Sequence, residues 1–508
     1  MVTLINPPGI KSLSSIQMQT PNLPVGLAYI AGILRENNVP CTVIDAVGLA
    51  LDSISPYPDR SDFLIQGLTE EEIVRRIPIA TDIVGFGCMF STLWPVTRRL
   101  VARVRRAFPH ALLVLGGEHG TAVPEHSLTH SALDVVVLGE GERTFLALLR
   151  ARRLGTPFHD TKGIAFKEGD RIVYTGLSER LIEIDAIPWP DWESFPVEAY
   201  IGKSQSSGMN LGRFMPILAT RGCPYRCTFC SSPTMWTTRY LTRDPVRVVD
   251  EMVHYQKRYG AANFDFQDLT AIVKRSWVIA FCQEIIRRRL EITWQLPIGT
   301  RSEIFDAEVV ELIYRSGCRS LSFAPESGAE EIRRSVGKKL DLDRFLKAVD
   351  IVVARGIALS CFIVIGFPND NKETLRASLR LIRKLAIMGV HDVAVTKFVP
   401  YPGSALFLEL QQSGVLKLDD EFFVSPMDFY TKKGASFCRE VPQRDLYAWM
   451  IWMFLNFYII SFTRRPWRVI SILWEAVTTG RERARFAKWF VDMFLRRRGW
   501  RRQLRKAS

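Results

Sequence analysis

Short apolar runs alternate with amphipathic stretches over residues 1 to about 155. The runs at 3–6, 41–46, 82–88, 111–117 and 135–140 read as strands, and 26–35 and 96–108 repeat their apolar residues at helical spacing. Thr69 and Glu72 form a capping box ahead of Ile73 and Val74, which predicts a helix start. This alternation predicts an α/β domain over 1–155: a parallel, doubly wound, Rossmann-like sheet that binds ligands at the carboxyl ends of its strands. The alternation resumes over 206–410. Strands are expected at 216–221, 264–268, 293–299, 320–326, 360–367 and 392–400, with helices such as 246–258, 307–316 and 342–354 between them. Six such units predict a partial, TIM-like (β/α)6 barrel with its functional residues at the strand ends. Residues 156–205 join the two, with a hairpin at 163–176 turning at Gly169-Asp170 and a stiff linker, Ile187-Pro188-Trp189-Pro190-Asp191-Trp192, whose tryptophans are expected to pack between the domains. Residues 411–508 read as a mainly helical region.

The strand ends carry the chemistry. In the first domain they are marked by Pro7-Pro8-Gly9, by Gly116-Gly117-Glu118-His119-Gly120 and by Gly139-Glu140-Gly141-Glu142, where glycine lets a ligand approach the backbone. In the barrel they carry Asp265 and Asp268, Arg301, Pro325-Glu326-Ser327-Gly328 and Gly366-Phe367-Pro368. The first barrel strand ends in RGCPYRCTFC, which places Cys223, Cys227 and Cys230 in a Cys-x3-Cys-x2-Cys spacing. Thiolates are the usual ligands of iron–sulfur clusters, and three of them leave one iron of a 4Fe-4S cube without a protein ligand. Structural zinc closes its shell with a second pair, and neither Cys282 nor His254 supplies one at the expected spacing.

This pattern resembles the radical S-adenosylmethionine (SAM) enzymes, and NPPG, PVGLAYIAGIL, GGEHGTAVPE and VVLGEGERTF resemble the cobalamin-binding domain that precedes many of them. Together they are similar to class B radical SAM methyltransferases over about residues 1–410. The resemblance implies a 4Fe-4S cluster on Cys223, Cys227 and Cys230, SAM chelated to its open iron, and cobalamin on the first domain. It places Phe229 with its backbone against the adenine, Glu326 and Ser327 near the SAM amino or ribose groups, and Gly366 near the adenine. Charge pairing suggests Asp268 for the methionyl ammonium and Arg301 for the carboxylate, although both also read as members of an ordinary ion pair at a barrel rim. Gly116, Gly117, Glu118, Gly139, Glu140 and Gly141 are expected at the cobalamin. The Asp-x-His-x-x-Gly signature of other cobalamin proteins is missing and no His precedes His110, so a histidine-free lower face of cobalt is expected. His119 reads as a hydrogen-bonding loop residue. The implied activity is methylation of an unactivated carbon by a deoxyadenosyl radical and methylcobalamin, supplied with electrons by a carrier such as flavodoxin or ferredoxin. Cyclisation, carbon–carbon coupling or oxidation on the same parts is the alternative. Methylthiolation of RNA is disfavoured, because no second Cys triplet precedes Cys223.

Composition adds the compartment and the tail. The chain has 508 residues, enough for two or three domains, and its nine cysteines lack disulfide-like spacing, which suggests a reducing cytosol. The opening residues read as a short strand halted by Pro7-Pro8, not as a signal peptide. Of the net charge of +14, a surplus of 11 lies in residues 463–508, which hold 14 Lys and Arg against 3 Asp and Glu. Residues 446–462 are uncharged and rich in Trp and Tyr. As a helix they would run about 26 Å, slightly short of a bilayer crossing. Phe486, Trp489, Phe490, Met493 and Phe494 recur at helical spacing among arginines. Peripheral association with the inner face of a membrane, and a hydrophobic small-molecule substrate, are therefore expected, with no nucleic-acid partner. The alternative for 446–462 is a helix of the core or of the substrate pocket.

Overall fold

The computed structural model describes residues 1–471 apart from 14–19, 59, 204–205 and 469, together with residue 474. The stripe from Phe486 to Phe494 and most of the basic tail lie outside the described residues.

The apolar runs of the first domain become a seven-stranded sheet. Val2–Asn6 lies between Cys41–Asp45 and Ile83–Gly87, followed outward by Leu112–Gly116 and Val135–Val137, and these five strands run parallel. The hairpin Ile164–Glu168 and Arg171–Tyr174 was expected between the domains. It instead extends this sheet, pairing antiparallel with Val135–Val137. Its inner residues Ile164, Ala165 and Phe166 are buried, so the strand gains a ladder and a core at once. A separate three-stranded antiparallel sheet, Gly9–Ser12, Ile54–Pro56 and Phe63–Gln66, was not anticipated. The capping box at Thr69 and Glu72 forms as expected and starts the helix Glu70–Arg76.

The second sheet has six parallel strands in sequence order: Phe214–Ile217, Asn263–Phe266, Thr293–Thr300, Cys318–Glu326, Ala358–Ile365 and Asp392–Lys397. Sequential order with a helix after each strand is an open portion of a parallel barrel. The chain then folds back. Phe423, in the helix Asp420–Val424, packs against His119 of the first domain, and Arg98 pairs with Asp420 at 2.7 Å. The last described long helix, Gln443–Arg464, buries Leu446, Met450, Met453 and Phe457 against the barrel.

The linker holds both domains. Asp191 pairs with Arg35 at 2.6 Å, and its backbone N–H donates to the carbonyl of Ala28, both on the first domain's helix Val25–Glu36. Trp192 is 2% exposed, and its Nε1 donates to the Tyr255 hydroxyl at 3.0 Å, on the barrel helix Pro245–Tyr259. Trp192→Ala should lower the unfolding free energy by about 3–5 kcal/mol, the usual cost of emptying a buried aromatic site. Denaturant unfolding measures the loss, and limited proteolysis should show new cleavage within 187–203.

Candidate active site

Backbone constraints shape the cysteine loop. Thr220–Arg221 pairs antiparallel with Leu241–Thr242 and closes the base of the loop. Asp268 accepts hydrogen bonds from the Ala219 N–H at 3.1 Å and from the N–H and Oγ1 of Thr220, both at 2.5 Å. Burial pushes this carboxyl up to about 6, against the pull of those donors. Gly222 follows with φ +86°, and a Cβ there would collide with the carbonyl oxygen of Arg239. Only glycine lets the chain turn at that point.

Cys223, Cys227 and Cys230 share the resulting loop as half-buried free thiols. The Thr228 N–H donates to the Val336 carbonyl and the Cys230 N–H to the Cys227 carbonyl, which fixes the second half of the loop. Burial raises all three thiols, Cys230 to about 11. Among the described residues no three His, Cys, Asp or Glu side chains converge on a point suited to a single ion. An iron–sulfur cube offers each thiolate its own iron, so its ligands stand wider apart than those of a single ion.

Buried donors without partners lie beside the loop. Arg301 pairs with Glu303 at 2.6 Å, donates through Nη2 to the Lys339 carbonyl, and stacks 4.0 Å over the ring of Tyr225. Among the described residues its Nε and Nη1 have no partner, and neither have the hydroxyls of Thr300 and Thr228. Unmade bonds of this kind cost free energy, so the arrangement fits an anionic ligand bearing a carboxylate. Glu326 ends its strand at φ +64°, a backbone conformation that side chains avoid, and its buried carboxylate pairs with Lys338 at 3.0 Å.

Other expected SAM contacts are engaged differently. Asp268 spends its carboxylate on the loop backbone, as described. The Ser327 Oγ accepts from the Ala329 N–H and lies 3.2 Å from the Ser378 hydroxyl. Gly366, at φ +85°, is approached by Leu446 of the C-terminal helix, whose Cδ1 lies 2.7 Å from where a Cβ would stand. The Phe229 ring packs on Phe367 with centroids 5.6 Å apart.

The first domain turns its strand ends toward this loop. Gly117 has φ +108°, and a Cβ on it would lie 2.5 Å from the Cys88 carbonyl oxygen, whereas space beside Gly116 is open. Gly139, at φ +83°, abuts Ser178, and Gly141 abuts Ile30. Of these glycines only Gly116 leaves open space, where a cofactor could approach the backbone at the strand end. Glu118 and Glu140 were expected to serve that cofactor, but their carboxylates reach the barrel. The Ser231 hydroxyl, one residue past Cys230, donates to Glu118, whose carboxyl burial pushes up. Arg221 donates through Nη1 to Glu140 at 2.9 Å and through Nη2 to Glu142 at 2.5 Å. The three side chains are 5%, 1% and 6% exposed. Burial alone would raise Glu142, and the adjacent Arg221 reverses this and holds it below the usual carboxylate range. His119 is buried between Trp94 and Phe423, with ring nitrogens 2.9 Å from the Ser91 hydroxyl and 3.4 Å from that of Ser127. It is a hydrogen-bonded core residue.

The sequence reading missed Arg221, Glu142, Ser231, Tyr401 and Leu446. The signal for Arg221 was its place two residues before Cys223, opposite the repeated acid of Gly139-Glu140-Gly141-Glu142. Tyr401 shows no local pattern. It is 42% exposed, and its ring packs edge-on against Phe429, with centroids 6.2 Å apart.

Arg221→Met would leave Glu142 buried without its bonded counter-charge and Glu140 with only Arg180, 3.5 Å away. The variant should lose about 3–5 kcal/mol of stability, the usual cost of breaking one side of a buried ion pair. Denaturant unfolding of the variant reads this loss. Adding Glu142→Gln to Arg221→Met should restore part of it, because Glu140 keeps Arg180 as its partner and no unpaired carboxylate then remains.

Residues 16–149 match the B12 binding domain model and residues 217–382 match the Radical SAM superfamily model. The chain is 28% identical over 412 residues to an uncharacterized methyltransferase of Pyrococcus horikoshii, covering 80% of this chain and 82% of that one. It is 27% identical over 412 residues to the anaerobic magnesium-protoporphyrin IX monomethyl ester cyclase of Rubrivivax gelatinosus, covering 80% and 69%. Its fold is similar to that of the radical SAM methyltransferase TsrM from Kitasatospora setae, solved with cobalamin and a 4Fe-4S cluster, at TM-score 0.63 and 17% identity over 81% and 78% of the two chains. With the cysteine loop at the first barrel strand and the glycine-lined sheet edge facing it, the chain belongs to the radical SAM enzymes that carry a B12-binding domain, and its cofactors are a 4Fe-4S cluster, SAM and cobalamin.

Proposed function

We propose that the enzyme transfers a methyl group to an unactivated carbon of an apolar substrate of lipid, isoprenoid or tetrapyrrole type. It would do so in the cytoplasm, at the inner face of the membrane, with a carrier such as flavodoxin or ferredoxin as reductant. The observation that carries the proposal is the buried Arg221–Glu140–Glu142 bridge, which holds the cobalamin edge against the loop that follows it in sequence, Cys223 to Cys230. When bound, these cofactors supply hydrogen-atom abstraction and a transferable methyl group.

The chain's own residues supply binding and orientation. Cys223, Cys227 and Cys230 would ligate the cluster. Arg301, through its unpartnered Nε and Nη1, would hold the SAM carboxylate, and Tyr225 beneath the guanidinium fixes its plane. Glu326 and Lys338 neutralise each other beside the loop, so the site gains no unpaired charge from them. Gly116 would let the corrin approach the sheet edge. Leu446 over Gly366 places an apolar wall at a barrel strand end, which supports an apolar substrate. The relation to a tetrapyrrole cyclase favours cyclisation as the second possibility.

Growth on methyl-deuterated methionine separates the two. Methyl transfer predicts a product that carries the deuterated methyl group and is lost on gene deletion. A product that has only lost hydrogen overturns methyl transfer and favours cyclisation or oxidation. In the purified protein, reconstitution should give about four irons per chain, and Ala at Cys223, Cys227 or Cys230 should abolish 5'-deoxyadenosine formation. Arg301→Met should weaken SAM binding to the reconstituted protein roughly ten- to a hundredfold, the worth of hydrogen bonds to a charged group. Equilibrium dialysis against labelled SAM reads this directly.

A further inference from the structure

Two helices lie side by side on the outside of the barrel, and their outward faces complement each other. The helix Gln443–Arg464 buries Leu446, Met450, Met453, Phe457 and Ser461 on one side. On the opposite side Trp452, Leu455 and Ile459 are 50%, 48% and 58% exposed. No acidic or basic residue occurs from Leu446 to Phe462, and the exposed residues Ala448, Trp452, Leu455 and Ile459 form an apolar ridge about 17 Å long. An apolar ridge of this size open to water is uncommon on a soluble surface and marks a contact site.

The neighbouring helix, Lys372–Met388, turns Lys372, Arg376, Arg380, Arg383 and Lys384 outward, with Glu373 as its single acid. Arg376, Arg380, Arg383 and Ile387 recur three or four apart and form one stripe. The two helices run in the same direction. Gly366, just before the second helix, meets Leu446, Arg383 donates to the Asn456 side chain at 2.8 Å, and Arg465 donates to the carbonyls of Ala386 and Ile387. A basic stripe therefore runs along an apolar ridge.

Apolar burial and attraction to anionic headgroups add at a membrane surface, and this pairing supplies both. A crossing is excluded by the inner side of the ridge helix, because Met450, Met453 and Phe457 are wholly buried in the barrel and would have to leave it. We propose that the paired outer faces of Gln443–Arg464 and Lys372–Met388 form a docking surface for an anionic lipid bilayer, with the ridge helix lying in the plane of the interface. This names a partner for the apolar-substrate enzyme proposed above and rests on that function. Docking also sets Leu446, at the inner end of the ridge helix, between the bilayer and the strand end at Gly366, so an apolar substrate would reach the barrel along that helix.

The test is sedimentation of the full-length holoenzyme with vesicles of phosphatidylcholine containing phosphatidylglycerol, at low and high salt. The wild type should bind, and binding should weaken with salt and with removal of the anionic lipid. Arg376→Gln, Arg380→Gln and Lys384→Gln together should reduce affinity roughly a hundredfold, from the contribution of each basic group near a charged surface. Trp452→Gln with Ile459→Gln should also weaken binding, and should leave the residual affinity less dependent on apolar insertion. All variants should retain 5'-deoxyadenosine formation, which shows that they are folded and loaded. Unchanged vesicle binding in both variant sets overturns the proposal, and loss of binding only on removal of residues 475–508 assigns membrane contact to that segment instead. An enzyme that methylates a detergent-dispersed substrate yet ignores vesicles overturns the docking surface while leaving methyl transfer intact. Vesicle binding without any methylated product does the reverse.

Discussion

The buried bridge from Arg221 to Glu140 and Glu142 is the interaction on which the rest of the molecule depends. It joins two domains that each fold around their own sheet, and it does so two residues before Cys223. Three charges taken out of water are costly, and their close geometry together with Arg180, 3.5 Å from Glu140, offsets that cost. Arg221 also lies 5.0 Å over the ring of Tyr29 and 5.8 Å over that of Trp236, so its flat guanidinium is held between faces from both domains. Lysine could not replace it, because it lacks the fork that reaches two carboxylates.

A second buried network lies beside the first, with Arg243 and Arg221 lining one small cavity next to Tyr29. Arg243 pairs with Glu251 at 2.5 Å, Glu251 accepts from the Tyr255 hydroxyl at 2.6 Å, and Tyr255 in turn accepts from Trp192 of the linker. The linker, the barrel's first helix and the base of the cysteine loop are thereby one unit, since Arg243 also donates to the Leu218 carbonyl. The C-terminal region straps across both domains through Arg60, which pairs with Asp428 and Glu421. Polar, geometrically exacting contacts set the angle between domains, while apolar cores stabilise each domain. That division suits an enzyme whose two cofactor sites must face each other at a fixed separation.

The strands were legible because period and apolar content specify them locally: the expected strands lie within a few residues of those observed, from Val2–Asn6 to Asp392–Lys397. The cysteines stand out in the sequence because their spacing is itself the chemistry of the proposed cluster. What escaped was long-range. Glu118 and Glu140 sit in glycine-rich turns that point to a ligand, and nothing local shows that their carboxylates cross to Ser231 and Arg221, over 80 residues away. Asp268 has the charge for an ammonium, yet the loop needs a three-bond acceptor at that point more locally than SAM does. The hairpin at 164–174 was recognisable as a hairpin, but its attachment to Val135–Val137 depends on a partner edge that only the assembled sheet provides. Gly366 carried the correct backbone signature, a positive φ, while the side chain that closes on it comes from Leu446, 80 positions later.

The central claim is that the bridge holds the cobalamin edge and the cysteine loop face to face. Electron paramagnetic resonance of the holoenzyme, with cobalt as cob(II)alamin and the cluster reduced, tests it most directly. The account predicts that the two spins broaden each other and relax together in the wild type, and that this coupling weakens when Glu140 and Glu142 are both replaced by Gln. Two independent, unbroadened signals in the wild type would contradict it.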